Sequence, residues 1–170
     1  LAGEPVDDAA AAEARVHLHE VVPILDRRAD ARGATAERMR GLSIIQRDGS
    51  RSPLITGTPP VYADSTVFLG QVQGLGWLLD VAPHPDFGNN GWIYLHHTDR
   101  CTDCNALSRK SKRPVSMNRL VRGRIRDGAW VDQEILWQAD PETYTDTSDL
   151  TAGGRIAFDG RGHVFFSVGM

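Results

Sequence analysis

From Gly41 onward, apolar and polar positions alternate with a period of two, in short runs broken by glycine-containing turns. In GLSIIQRDGSRSPLI (Gly41–Ile55) two apolar segments flank Asp48-Gly49, a strong short-range hairpin signal. In LLDVAPHPDFGNNGWIYLHHT (Leu78–Thr98) an apolar run is interrupted by Pro-Asp-Phe-Gly-Asn-Asn-Gly and resumes with aromatic and β-branched residues. NRLVRGRIRDGAWVDQEILWQ (Asn118–Gln138) turns at Asp127-Gly128, and GRIAFDGRGHVFFSVG (Gly154–Gly169) closes the series. The pattern predicts four antiparallel hairpins, over 41–56, 78–98, 118–138 and 154–169.

These hairpins alternate in kind. The two Asp-Gly turns lie 127 − 48 = 79 residues apart. Gly91-Trp92-Ile93-Tyr94-Leu95 matches Gly162-His163-Val164-Phe165-Phe166, 162 − 91 = 71 residues on, and Val81-Ala82 matches Ile156-Ala157. A repeat of four strands plus loops at this spacing predicts an all-β chain of propeller blades with long insertions, since common blades need only ~40–50 residues. A β-sandwich with similar hairpins is the alternative. At about 75 residues each the chain holds about two blades, too few to close a ring of ~4–8. Together with a start at Leu1 and an apolar run up to Met170, this leads to the expectation of a fragment of a longer protein.

Residues 1–36 read differently. Asp7 and Asp8 are suited to cap a short N-terminal helix over Ala9–Val22 that Pro23 would end. The alanine run supplies helix propensity with little apolar stripe, so this helix is expected either packed or as a lightly docked extension. Asp26–Arg40 has no clear period. The expected division is an extension over 1–36 and a partial propeller over 37–170.

Composition narrows the function classes. An apolar content of 41% and a charged content of 24% in 170 residues are those of a globular protein, and a net charge of −3 points away from nucleic acid and anionic membranes. No apolar stretch approaches the ~18 residues of a membrane span. The basic run Arg109–Arg113 reads as a solvated loop. There is no phosphate-binding loop, nucleophile elbow or dinucleotide fingerprint.

The wording of several segments is more specific. LLDVAPHPDFGNNGWIYL, SMNRLVRGRI and GGRIAFDGRGHVFFSVG, with ERMRGLSIIQRDGS upstream, resemble the glucose/sorbosone dehydrogenase family across Glu37–Gly169. The resemblance implies a six-bladed β-propeller that oxidises a sugar hydroxyl using pyrroloquinoline quinone (PQQ) and Ca²⁺. It implies a periplasmic or secreted location and a small sugar or alcohol as substrate. In this family a histidine takes the proton of the sugar C1 hydroxyl as hydride passes to the quinone; the redox chemistry is the cofactor's. That histidine stands two residues before the paired small residues that precede Arg. The position here is Thr151, in SDLTAGGRIAF, and a threonine hydroxyl is no comparable base. The resemblance makes Gln73, two residues early, and Asp149, displaced by one, candidate cofactor contacts. It places the Ca²⁺ ligands and the remaining quinone contacts beyond Met170.

Other residues carry competing readings. Cys101-Thr102-Asp103-Cys104 is followed by Asn105, not the histidine of a haem-attachment site, and it lacks a thioredoxin-like context. HHTDRCTDC (His96–Cys104) contains two histidines and two cysteines, a zinc-type donor set, but neighbouring strand residues point to opposite faces. The oxidising compartment implied by the resemblance favours a loop-bracing Cys101–Cys104 disulfide, with free thiols or metal as alternatives. His84 is expected to bond turn backbone, His163 to be solvated, and the four tryptophans to pack between blades, with sugar stacking as a minor reading. Two functions follow: a fragment of a PQQ-dependent sugar dehydrogenase, or a non-catalytic propeller of the same lineage that binds a carbohydrate or protein. Thr151 favours the second.

Overall fold

Asp127-Gly128 turns the chain back on itself because both residues adopt positive φ, 50° and 76°, as a two-residue type I′ turn requires. It joins β8 (Val115–Arg126) to β9 (Ala129–Gln138). The structure is a computed structural model that describes residues 20–24, 32–37, 40–46, 48–62, 66–68, 71–147 and 149–169. In it, β6 (Leu78–Pro83) and β7 (Ile93–Cys101) precede this hairpin, and the four strands form one antiparallel sheet in the order β6-β7-β8-β9. The hairpins expected over 78–98 and 118–138 are therefore the two halves of one blade.

The β6–β7 connection contains a single helical turn, α1 (Phe87–Asn90), closed by Gly91 at φ 66°. His84 fixes this turn. Its Nδ1 accepts from the Asp86 N–H at 3.0 Å and meets the Asn90 amide at 2.8 Å. After β7, a helix α2 (Ala106–Ser111) is started by a capping box between Asn105 and Ser108. Part of the basic run expected as a loop thus lies on this exposed helix.

β10 (Gly153–Phe158) and β11 (Val164–Val168) form the hairpin expected over 154–169. The internal repeat holds in register as well as in wording. Val81 faces Leu95 and Ala82 faces Tyr94, while Ile156 faces Phe166 and Ala157 faces Phe165. β10 lies beside β6, as the first strand of a second blade would. Asp80 Oδ2 accepts the Ile156 N–H at 2.7 Å, tying the two strands together. The glycine pair opening β10 is a packing requirement: a Cβ on Gly154 (φ 123°) would come within 2.6 Å of Leu79 Cβ.

On the other side of the blade, β1 (Glu20–Ile24), β2 (Arg32–Glu37) and β3 (Gly41–Ile45) form a three-stranded antiparallel sheet. Two expectations are corrected here. The helix over Ala9–Val22 falls largely outside the described residues, but Glu20, Val21 and Val22 are strand. Pro23 does not end a helix; it lies inside β1 opposite Gly33. Val21, Val22 and Ile24 favour strand geometry, and proline is tolerated because β1 is the sheet's outer strand. The segment 41–56 is also only half a hairpin. β3 pairs with β2, while the return arm bonds at single points and then joins the blade, with Thr56 N–H donating to Gly128 O and Trp130 N–H to Thr56 O. Pro53 has no N–H for a ladder.

The main core fills the space between this sheet and the blade. Ala34, Ala36 and Leu42 meet Leu78, Val81, Ile93, Leu95, Val121 and Trp130. The opposite face of β7 packs on the second blade through Tyr94–Phe158 and His96–Phe166 ring contacts, with centroids 5.0 and 5.2 Å apart. The tryptophans divide. Trp77 and Trp130 are buried, Trp137 packs on Phe166, and Trp92 lies under the guanidinium groups of Arg122 and Arg124 at 4.4 and 3.6 Å. A short hairpin of β4 (Thr66–Phe68) and β5 (Gln71–Gln73) leads into β6.

Candidate functional site

Of the three residues singled out for the site, Asp149 and Thr151 share one turn, and the fold brings the strand of Gln73 to that turn from far along the sequence. Thr151 ends a single 3₁₀ turn, Asp149–Thr151, just before β10, and is exposed. That turn lies against β5, which carries Gln73. The backbone seals the contact: Asp149 N–H donates to Gly74 O at 2.9 Å, and Ala152 N–H closes the turn on Asp149 O at 3.1 Å. The residue after β11 is tied to the same turn, with Gly169 N–H donating to Ala152 O at 2.8 Å.

Asp149 itself points inward. It is 3% exposed, and its carboxylate is met by three protein donors. Oδ2 accepts the Gly76 N–H and the Thr98 hydroxyl, each at 2.5 Å, and Oδ1 accepts the Ser116 hydroxyl at 2.6 Å. Thr98 Oγ1 in turn accepts the Trp77 N–H at 2.8 Å. Burial raises the Asp149 pKa, against the downward pull of these donors. Thr98, Ser116 and Gly76 were not read as site residues, and no local motif marks them; they lie 51, 33 and 73 positions from Asp149.

His96 and His97 occupy the two faces of β7, 0% and 2% exposed. Neither ring makes a hydrogen bond among the described residues, nor does the nearby buried Asn118 side chain. Burial lowers both imidazole pKa values to about 4. Asn118 and, for His97, the Thr98 backbone and Asp99 oppose this, while Arg119 reinforces it at His97. Their opposed directions keep them from sharing an ion. Cys101 and Cys104 are joined by a disulfide. It lies beside the small cluster of Val115, Ala139 and Tyr144, where Asn105 Nδ2 donates to the carbonyls of Pro141 and Tyr144 at 3.0 and 2.9 Å. The Tyr144 hydroxyl donates to Asp99, and burial with this neighbouring carboxylate pushes its pKa up to about 12. His163, expected to be solvated, is exposed and pairs with Asp159.

A quinone and Ca²⁺ are the groups that the resemblance implies. The described residues do not by themselves complete a site for either. The Asp149 carboxylate is already engaged by protein donors, Thr151 offers a neutral hydroxyl, and among the described residues no three acidic, histidine or cysteine groups cluster as metal ligands. Among these residues no helix is long and apolar enough to cross a membrane.

Comparison with known proteins places this arrangement. Three solved structures resemble the chain. One is the soluble aldose sugar dehydrogenase of Escherichia coli in its apo form (25% identity, TM-score 0.60, 81% of this chain and 34% of that one). Another is a glucose dehydrogenase (26% identity, TM-score 0.61, again 81% and 34%). A further glucose dehydrogenase, at 24% identity and TM-score 0.66 over 90% of this chain and 40% of that one, supports the fold. The chain thus spans well under half the length of these proteins, and its sheets form part of a β-propeller. No curated protein matches the sequence. Residues 25–170 match the family described as Glucose / Sorbosone dehydrogenase. The chain belongs to the glucose/sorbosone dehydrogenase family.

Proposed function

We propose that these residues are part of a longer PQQ- and Ca²⁺-dependent sugar dehydrogenase-like propeller that acts on an aldose or related alcohol in the periplasm or outside the cell. The observation that carries this reading is the convergence of the turn bearing Thr151 with the strand bearing Gln73, in a chain whose residues 25–170 match the family. The disulfide is consistent with an oxidising compartment. When bound, the quinone would supply the two-electron oxidation; the remaining holders of both groups would lie on sequence outside these residues. Thr151 limits what this chain contributes. Its hydroxyl can hydrogen-bond a sugar, but it cannot hold a proton near neutral pH.

Thr151 also supports the second reading, a non-catalytic propeller that binds a carbohydrate or protein. Titrating the full-length protein with PQQ in the presence of Ca²⁺, followed by the quinone absorbance, separates the two. Saturable binding supports the dehydrogenase lineage with its cofactor retained. No binding favours the non-catalytic propeller.

A further inference from the structure

The Asp149 carboxylate joins three parts of the fold at one point. Gly76 lies on the β5–β6 connection, Thr98 on β7 and Ser116 on β8, and all three donate to it. The residue is 3% exposed, so these bonds are shielded from water. Its own backbone N–H fastens the 149–151 turn to Gly74, one residue after Gln73. The Gly76 end of the clamp is itself fixed, since Gly76 O accepts the Tyr62 N–H at 3.1 Å. There, at φ 92°, a Cβ would come within 2.4 Å of the Tyr62 ring. The side chain is turned away from the exposed position 151 that it supports.

We propose that Asp149 is a positioning residue, not a cofactor contact: its carboxylate holds the turn carrying position 151 against the connection that follows Gln73. This rests on the reading that position 151 faces the substrate. Two of the partners need an acceptor there: the Gly76 N–H can only donate, and Thr98 Oγ1, which takes up the Trp77 N–H, gives its own proton to the carboxylate. An alanine in its place removes all three contacts and leaves the buried Gly76 N–H without its acceptor.

Asp149→Ala tests this in the full-length protein, with Ser116→Ala as a milder variant that removes one donor should the first not fold. Hydrogen exchange at the Gly76, Asp149 and Ala152 amides is expected to rise about tenfold or more while the strand amides of β7 and β8 stay protected. Turnover is then measured in the Thr151→His background, with PQQ and Ca²⁺ supplied. A misplaced 151 side chain is expected to lower kcat about tenfold with a smaller change in the sugar KM. Unchanged exchange at these amides overturns the proposal. Faster exchange with unchanged kcat also overturns it, since Asp149 would then brace the fold only. A Thr151→His background with bound cofactor and no turnover in either version removes the functional reading on which the proposal rests, a failure distinct from the other two.

Discussion

His96 and His97 make the fold acid-labile by an amount that can be worked from their burial. Both rings are held neutral, with pKa values near 4, against 6.5 when exposed. The unfolded chain therefore binds protons that the folded one refuses, and stability falls as pH drops through 6.5 towards 4. At pH 5 an exposed imidazole is almost fully protonated and these are mostly neutral, a difference of about 2 kcal/mol per ring. Asp80 and Asp149 run the other way. Burial raises their pKa, so their contribution favours the fold at low pH and is lost as pH rises through their folded values. The wild-type profile is a sum of these, and a variant isolates one term. His96→Phe keeps a ring beside Phe166 and cannot titrate. Urea unfolding of the full-length protein at pH 7.5 and pH 5 is expected to show a loss of stability in the wild type. His96→Phe should be less pH-sensitive by about 2 kcal/mol. Equal pH dependence in the two proteins would refute the claim that His96 is buried neutral.

Further expectations follow from single contacts. Gly154→Ala should destabilise by about 2–4 kcal/mol in thermal or urea unfolding, through the clash with Leu79 and the loss of a positive-φ glycine. Replacing both Cys101 and Cys104 by serine should cost at most about 2 kcal/mol, because the closed loop is only a few residues long, and should loosen exchange near α2 before the sheet. The 170 residues expressed alone expose Ile135, Leu136, Trp137, Phe165 and Val168 along β9 and β11, so they are expected to self-associate on a sizing column; a stable, cooperatively melting monomer would count against the longer propeller.

Much of the sheet was legible because turn chemistry is local. Asp127-Gly128 announces its type I′ turn, and the matched wording of 91–95 and 162–166 carries over to matched register. The first strands were hidden for the same reason in reverse. Glu20–Ile24 contains a proline and follows an alanine-rich run, which imitates a helix and its stop, whereas pairing with β2 decides the outcome. The return arm after Asp48-Gly49 looked like a strand, but its proline and its bonds to β9 take it elsewhere. The family wording singled out position 151 as a candidate, while the inward direction of Asp149 was invisible because its partners come from three separate strands or connections. Nothing in Leu95-His96-His97-Thr98 marks the two histidines as buried, since a strand packed on both faces ordinarily reads as a continuous apolar run and these polar positions interrupt it.

The central claim is that position 151 belongs to the reacting site and lacks only its base. The decisive measurement is glucose oxidation by the full-length protein loaded with PQQ and Ca²⁺, comparing wild type, Thr151→Ala and Thr151→His. Loss of a general base typically costs ~10²–10⁴-fold in rate. The account predicts feeble or absent turnover in the wild type and a clear gain in Thr151→His. Robust wild-type turnover that persists in Thr151→Ala would contradict it, placing the base elsewhere, as would a Thr151→His protein that binds the cofactor and gains nothing.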